Sequence, residues 1–274
     1  MIVSKKSKRN NVIVVIILSI LIVIILCFVW FMSTHTIIDN KIYDIKTEEL
    51  DLSFRKLSDE DIDRLKRFKY IKKLDMSYCE IESLEFIKDM PYLYSITMCG
   101  KGFSEVDLSP IRECSSLKKI SVCDMELKDL SLFSGLQNLK ELDLSDTDIK
   151  NISDISSISN LETISLWGNN INDLSYLSSL HNLKDVTIIS ENVTDISPIT
   201  SIEGIEYINI IRSISLTKLP DLSQCKHLKE IRLPDTCLND STILTAPALE
   251  KIVVYGTISD DLYNELQIRG ISVE

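Results

Sequence analysis

Apolar residues return in a fixed order along most of this chain. Aligned on a leading L-x-x-L-x-L, "LKKISVCDMELKDLSLFSGLQN" begins at Leu117 and "LKELDLSDTDIKNISDISSISN" at Leu139. "LETISLWGNNINDLSYLSSLHN" begins at Leu161 and "LKDVTIISENVTDISPITSIEG" at Leu183, which keeps a register of 22 residues unbroken. Less regular copies begin at Ile71, Leu93, Ile205, Leu228 and Leu249, and a half-related unit begins at Thr47. In each unit positions 4 to 6, such as Ile164–Ser165–Leu166, alternate with period two and predict a short strand. Ile171, Leu174, Leu177 and Leu180 follow at spacings of three, which predicts a 3₁₀ return on the opposite side. One unit cannot bury its apolar row alone. Stacked units bury it continuously, at roughly 1.5–3 kcal/mol per large side chain.

The 22-residue period and the second-half pattern in "NINDLSYL" and "NVTDISPI" resemble leucine-rich repeats, in particular those of internalins and of phosphatase-regulating leucine-rich-repeat proteins. The resemblance covers about 47–274. It implies an α/β solenoid with a curved parallel sheet on the concave face and 3₁₀ or short helical segments on the convex side. It is specific for fold and weakly specific for function.

Both ends of such a stack need caps. Ser58 is the expected N-cap of a helix through "DEDIDRLKRF", within an N-terminal cap unit 47–70. Ser259 is the expected N-cap of "DDLYNELQIR", stopped by Gly270 and followed by a last strand in "ISVE", within a C-terminal cap unit 249–274. At position 9, where a polar side chain bonds the neighbouring turn, Cys79, Thr147, Asn169, Ser213, Thr236 and Thr257 fit. Lys101, Met125 and Glu191 do not, so irregular turns are expected there.

Positions 3, 5 and 7 of each strand point away from the buried row and pave the concave sheet. Position 7 reads Ser53, Ser77, Cys99, Cys123, Ser145, Trp167, Ile189, Ile211, Pro234 and Tyr255. The first half is small or polar and the second half is apolar. Tyr207 at position 3, and Arg232 and Val253 at position 5, widen the apolar stripe. Exposed β-branched residues suit any strand, which accounts for Ile189 and Ile211 but not for Trp167. The candidate partner-binding residues are therefore Trp167, Ile189, Ile211, Tyr207, Arg232, Tyr255 and Val253. The register is least secure at Ile211 and Pro234, where the units are 23 and 21 residues long.

One segment stands outside the repeat. Residues 12–32, "VIVVIILSILIVIILCFVWFM", carry no charge and match the thickness of a bilayer core as a helix. Lys5, Lys6, Lys8 and Arg9 precede it, so a basic tail 1–11 is expected in the cytoplasm and the repeats outside the cell. A cleaved signal peptide would have a shorter apolar core and a small-residue cleavage site, and a lipidated Cys27 would follow a small residue. Residues 33–46 read as a short mixed stalk.

The net charge is −11; beyond residue 32 the chain holds 26 Lys and Arg against 41 Asp and Glu, a net of −15. A domain this acidic is not a nucleic-acid binder. Six of the seven cysteines lie outside the apolar segment without a zinc-type spacing. Cys99 and Cys123 share position 7 on adjacent strands, close enough for a disulfide, and free thiols are the favoured reading. Cys114, Cys225 and Cys237 read as small fillers. His35, His181 and His227 belong to no catalytic motif, and Cys225 beside His227 lacks a third partner. Asn151, Asn192 and Asn239 open N-x-S/T triplets. No enzyme activity, cofactor or metal is expected.

The sequence thus predicts a single-pass membrane protein that presents a ten-unit solenoid to a protein or peptide partner, as a surface receptor or adhesin does. The alternatives are a structural or regulatory subunit of a membrane complex, and a sensor of a glycan or cell-wall ligand.

Overall fold

The computed structural model describes residues 2–274, with side chains described from Val15 onward. The basic tail, 1–11, lies outside the residues whose side chains are described. Helix α1, Ile2–Thr34, contains a 20-residue apolar stretch, Val15–Thr34, which is long and apolar enough to cross a membrane.

Residues 33–46 are not a stalk. The chain passes from α1 into an antiparallel hairpin, β1 (His35–Ile38) and β2 (Lys41–Asp44). Asp39 and Asn40 take the left-handed conformation that a two-residue hairpin turn requires, with φ of 43° and 60°. The alternation in "HTII" buries Thr36 and Ile38 and turns Ile37 outward. The buried face packs on helix α2, Asp59–Leu65. Ser58 caps that helix, and Asp61 reciprocates to close a capping box. The Asp61 carboxylate also accepts from the Asp39 amide, and Arg55 pairs with Asp39 at 2.7 Å. The N-terminal cap therefore begins at His35, not at residue 47.

Eleven strands then stack in parallel, in sequence order, in one sheet among the described residues. They are β3 (Glu49–Asp51), β4 (Lys73–Asp75), β5 (Ser95–Cys99), β6 (Lys119–Cys123), β7 (Glu141–Asp143) and β8 (Thr163–Ser165), then β9 (Asp185–Thr187), β10 (Tyr207–Asn209), β11 (Glu230–Arg232), β12 (Lys251–Val253) and β13 (Ser272–Val273). Thr163, Asp185, Tyr207, Glu230 and Lys251 are successive register partners, so the units of irregular length do not shift the sheet. The extra or missing residue is absorbed in the loops.

The convex side is made of 3₁₀ turns such as Glu85–Asp89, Ser153–Ser157 and Ser175–Ser179, with one α-turn, α3, at Ser197–Thr200. Asp107, Asp129, Asn151, Asp173, Asp195 and Asp221 each accept from a serine amide two residues on. These Asp and Asn side chains serve turns. Hydrogen bonds from the following serine hold the Asp107, Asp129, Asp173 and Asp221 carboxyls below the usual range.

Between the two sides runs a continuous core in which Phe68, Phe86, Phe103 and Phe133 are wholly enclosed. Helix α4, Asp260–Ile268, covers the far end, with Ser259 accepting from the Leu262 amide and Gly270 in the left-handed conformation behind it.

The polar ladder at position 9 is strongest at Asn169. Its Oδ1 accepts from the Thr147 amide, the Thr147 hydroxyl and the Ile149 amide at 3.1, 3.0 and 3.1 Å, and its Nδ2 donates to the Leu144 carbonyl. Cys79 and Ser213 bond the carbonyls of Leu52 and Ile188. Thr236 is exposed but bonds the Leu216 carbonyl together with the buried Cys237, whereas Thr257 is exposed without such a bond among the described residues. Where Glu191 fails the pattern, Ser190 reaches the Ile171 carbonyl instead.

Candidate binding groove on the concave sheet

The direction of the position 7 side chains follows from the pleat. Leu166 is fully enclosed and its successor Trp167 is 47% exposed. The Trp167 backbone is held on both sides: its carbonyl accepts from the Asp146 amide, and the Gly168 amide donates to the Ile189 carbonyl. Gly168 has φ of +73°, and a Cβ there would meet Asp146 Oδ1 at 1.8 Å, so glycine spares the turn after the tryptophan that clash.

An open groove of about 480 Å³ runs from Trp167 to Tyr255. Ile189, Ile211 and Pro234 form its floor, and Arg212, Ile214 and Asp235 its rim. Trp167 and Tyr255 are the exposed ends, and Ile211 is nearly enclosed, so Ile211 shapes the floor and offers little surface of its own. A polar depression of about 350 Å³, bordered by Asn170, Glu191 and Asn192, shares Trp167, Ile189 and Arg212 with it.

The other three candidates stand beside the groove, not in it. Tyr207 and Val253 are half-buried and flank Arg232, whose guanidinium carbon lies 5.5 Å from the Tyr207 ring centre. Arg232 Nε also donates to Glu230 at 2.9 Å. Burial pushes the Tyr207 phenol up. This cluster is already internally paired.

Ile214 and Arg212 were not among the sequence candidates; Ile214 carried a signal in the repeat, and Arg212 did not. Ile214 stands at position 10, which is polar in Lys56, Glu80, Glu126, Asp148, Asn170 and Asn192 and otherwise holds Gly102, Cys237 and Ile258, and it is 57% exposed. Arg212 occupies position 8 with φ of 64°, a conformation shared there by Phe54, Tyr78, Asp124 and Asp146.

The first half of the concave sheet is chemically different. Ser53, Ser77 and Ser145 fold back onto Asp51, Asp75 and Asp143, giving a low polar floor. Between these lies a disulfide joining Cys99 and Cys123, whose α-carbons are 4.4 Å apart in register on β5 and β6. The favoured reading of two free thiols is therefore corrected: parallel neighbours at the same position lie within disulfide reach, and the structure joins them. Cys79, Cys114, Cys225 and Cys237 are buried thiols. No group of three or more His, Cys, Asp or Glu side chains among the described residues is disposed to hold a metal ion.

Solved structures share this architecture. An internalin C2 from Listeria monocytogenes matches with a TM-score of 0.56 at 21% identity, over 73% of this chain and 84% of that one. The chain has the leucine-rich-repeat fold. A second Listeria monocytogenes internalin matches with a TM-score of 0.56 at 16% identity, over 85% and 83% of the two chains. A leucine-rich-repeat protein of Leptospira interrogans matches with a TM-score of 0.63 at 18% identity, over 84% of this chain and 66% of that one. These likenesses concern the fold. No protein-family model and no curated protein matches the chain.

Proposed function

We propose that this leucine-rich-repeat chain is a membrane-anchored, extracytoplasmic module that binds a protein or peptide partner in the groove between Trp167 and Tyr255. One observation carries the reading. A solenoid strand can end in serine at position 7, as β3, β4 and β7 do, yet from β8 onward the same column is apolar and opens into a groove with exposed aromatic ends. Exposed Trp and Tyr on a rigid sheet bring large contact area at low entropic cost, and such residues dominate binding energy. Ile189, Ile211 and Pro234 complete the floor, and Tyr207, Arg232 and Val253 form a flanking polar-aromatic border.

Two features support the placement outside the cytoplasm. The basic residues precede the apolar segment. A disulfide between Cys99 and Cys123 belongs to an oxidising compartment.

The test is site-specific photo-crosslinking in cells. A photoreactive residue at Trp167 or Tyr255 is expected to capture one partner that the same residue at Thr97, on the polar half, does not. Trp167→Ala, with unchanged circular dichroism, is expected to weaken capture at Tyr255 by tenfold or more, on the basis of about 2 kcal/mol for a hot-spot tryptophan. Equal capture from both halves, or full capture by Trp167→Ala, overturns the assignment.

A further inference from the structure

The junction between α1 and the solenoid is built, not flexible. Arg67, just beyond α2, donates to the Met32 carbonyl at 2.6 Å and to the His35 carbonyl at 2.9 Å. Arg64 donates to the Ile37 carbonyl at 3.1 Å. The His35 ring stacks on Phe31 at 4.7 Å and meets the Thr34 hydroxyl at 2.8 Å. The helix end, the hairpin and α2 thus form one connected unit.

The hairpin has two faces of different fate. Thr36 and Ile38 are buried toward α2. Ile37 and Ile42 are direct cross-strand partners on the opposite face, and they are 39% and 55% exposed. Two β-branched aliphatic chains side by side on an outward face, next to the end of an apolar helix, lack a protein neighbour that covers them among the described residues. Lys41, the partner of Ile38, belongs to the other face, where its ammonium lies 5.1 Å from the Tyr43 ring centre, and the exposed Asp44 shares the face of Ile42.

Distance supplies the cover. The uncharged apolar run carried by α1 ends at Met32, with Ser33 and Thr34 after it, so the end of the helix falls at the edge of the hydrocarbon. Ile37 follows three residues later, within about 10 Å even when fully extended. The headgroup layer on each side of a bilayer is about 5–8 Å thick.

We propose that the β1–β2 hairpin is a membrane foot: its Ile37–Ile42 face rests in the headgroup layer of the bilayer that α1 crosses. The proposal rests on α1 being a membrane span. The foot and the Arg67 rivet together hold the solenoid at one inclination to the membrane, in place of letting it swing.

The test uses the full chain in nanodiscs of phosphatidylcholine and phosphatidylglycerol, with an environment-sensitive fluorophore on single cysteines. The remaining thiols are buried or disulfide-bonded, so labelling is selective. Three positions are compared: native Cys27 within α1, and Ile42→Cys or Ser178→Cys in a Cys27→Ser chain. Quenching uses nitroxide lipids with the spin label either at the headgroup or deep in the acyl chain. Cys27 is expected to be quenched by the deep label, Ile42→Cys by the headgroup label about threefold or more above Ser178→Cys. If Ile42→Cys responds like Ser178→Cys while Cys27 is quenched, the foot is wrong and the span stands. If Cys27 is not quenched, the span fails and the foot fails with it.

Discussion

Replacing Asn169 by alanine removes the side chain that ties two units together. Its Oδ1 is the acceptor for the Thr147 and Ile149 amides, both on residues that are 1% exposed or less. Without it, two buried N–H groups lose their partner, at about 1–3 kcal/mol each. The Leu144 carbonyl keeps the Thr147 hydroxyl at 3.1 Å, so no further cost falls there. The expected loss is about 2–6 kcal/mol, a large part of the 5–15 kcal/mol typical of a domain. Because a solenoid is coupled mainly between neighbours, the loss should open the boundary between the units at Leu139 and Leu161 first. Urea unfolding of the full chain in detergent micelles, followed by Trp167 fluorescence, measures it. Amide exchange at Thr147 and Ile149 locates it. Thr147→Val is the control: it deletes one hydroxyl but leaves both amides satisfied, for about 1 kcal/mol. The reasoning is refuted if Asn169→Ala unfolds at the native midpoint, or if Thr147→Val costs as much.

Gly168→Ala should destabilise by about 1–2 kcal/mol or more, because it combines a positive φ with a clash on Asp146, and chemical denaturation reads the loss. Alkylation of the unfolded, unreduced chain should modify Cys27, Cys79, Cys114, Cys225 and Cys237 only; mass spectrometry showing adducts on Cys99 or Cys123 would refute the disulfide. Reducing that bond should cost about 2–4 kcal/mol. Burial pushes the Cys114 and Cys225 thiols up to about 11, from 9.0 for an unburied thiol. The folded state then holds protons that the unfolded chain releases, so stability is level below about pH 9 and falls as pH rises towards about 11, by about 2–3 kcal/mol per thiol. Alanine at both positions should flatten that alkaline slope; an unchanged slope would place its cause elsewhere.

The solenoid was legible because its signal is collective. Ten units vote on one register, so a deviant at Lys101 or Met125 does not disturb the reading. The direction of Trp167 came from the same source: once Ile164 and Leu166 are assigned inward, position 7 has one place to go. What the repeat does not describe was harder to read. The hairpin at His35–Asp44 has four-residue strands, and its stability comes from Asp61, Arg64 and Arg67, which lie 20 to 35 residues away along the chain. A short alternation next to a long apolar helix gives no local sign of that support. The disulfide was visible as a possibility, but its formation depends on redox conditions that residue spacing does not encode. The repeat puts Tyr207 and Arg232 on one sheet, yet their mutual stacking, and the Glu230 bond that occupies Arg232, required side-chain positions.

The two proposals constrain one another. Strand spacing of about 4.8 Å puts β8 about 24 Å, and β12 about 43 Å, along the stack from β3. With the cap held at the headgroups, those path lengths bound how far from the bilayer the groove can stand. A partner embedded in the same membrane must therefore either rise to that height or meet a solenoid inclined toward the surface. A swinging stalk would permit both, and a riveted foot permits one. Arg67→Ala separates the cases. It removes the bonds to the Met32 and His35 carbonyls while leaving the groove untouched. If the partner is reached through a fixed inclination, crosslinking from Trp167 should fall although the isolated groove still binds a peptide carrying the captured segment. If crosslinking is unchanged, the inclination is irrelevant to recognition and the partner comes from solution.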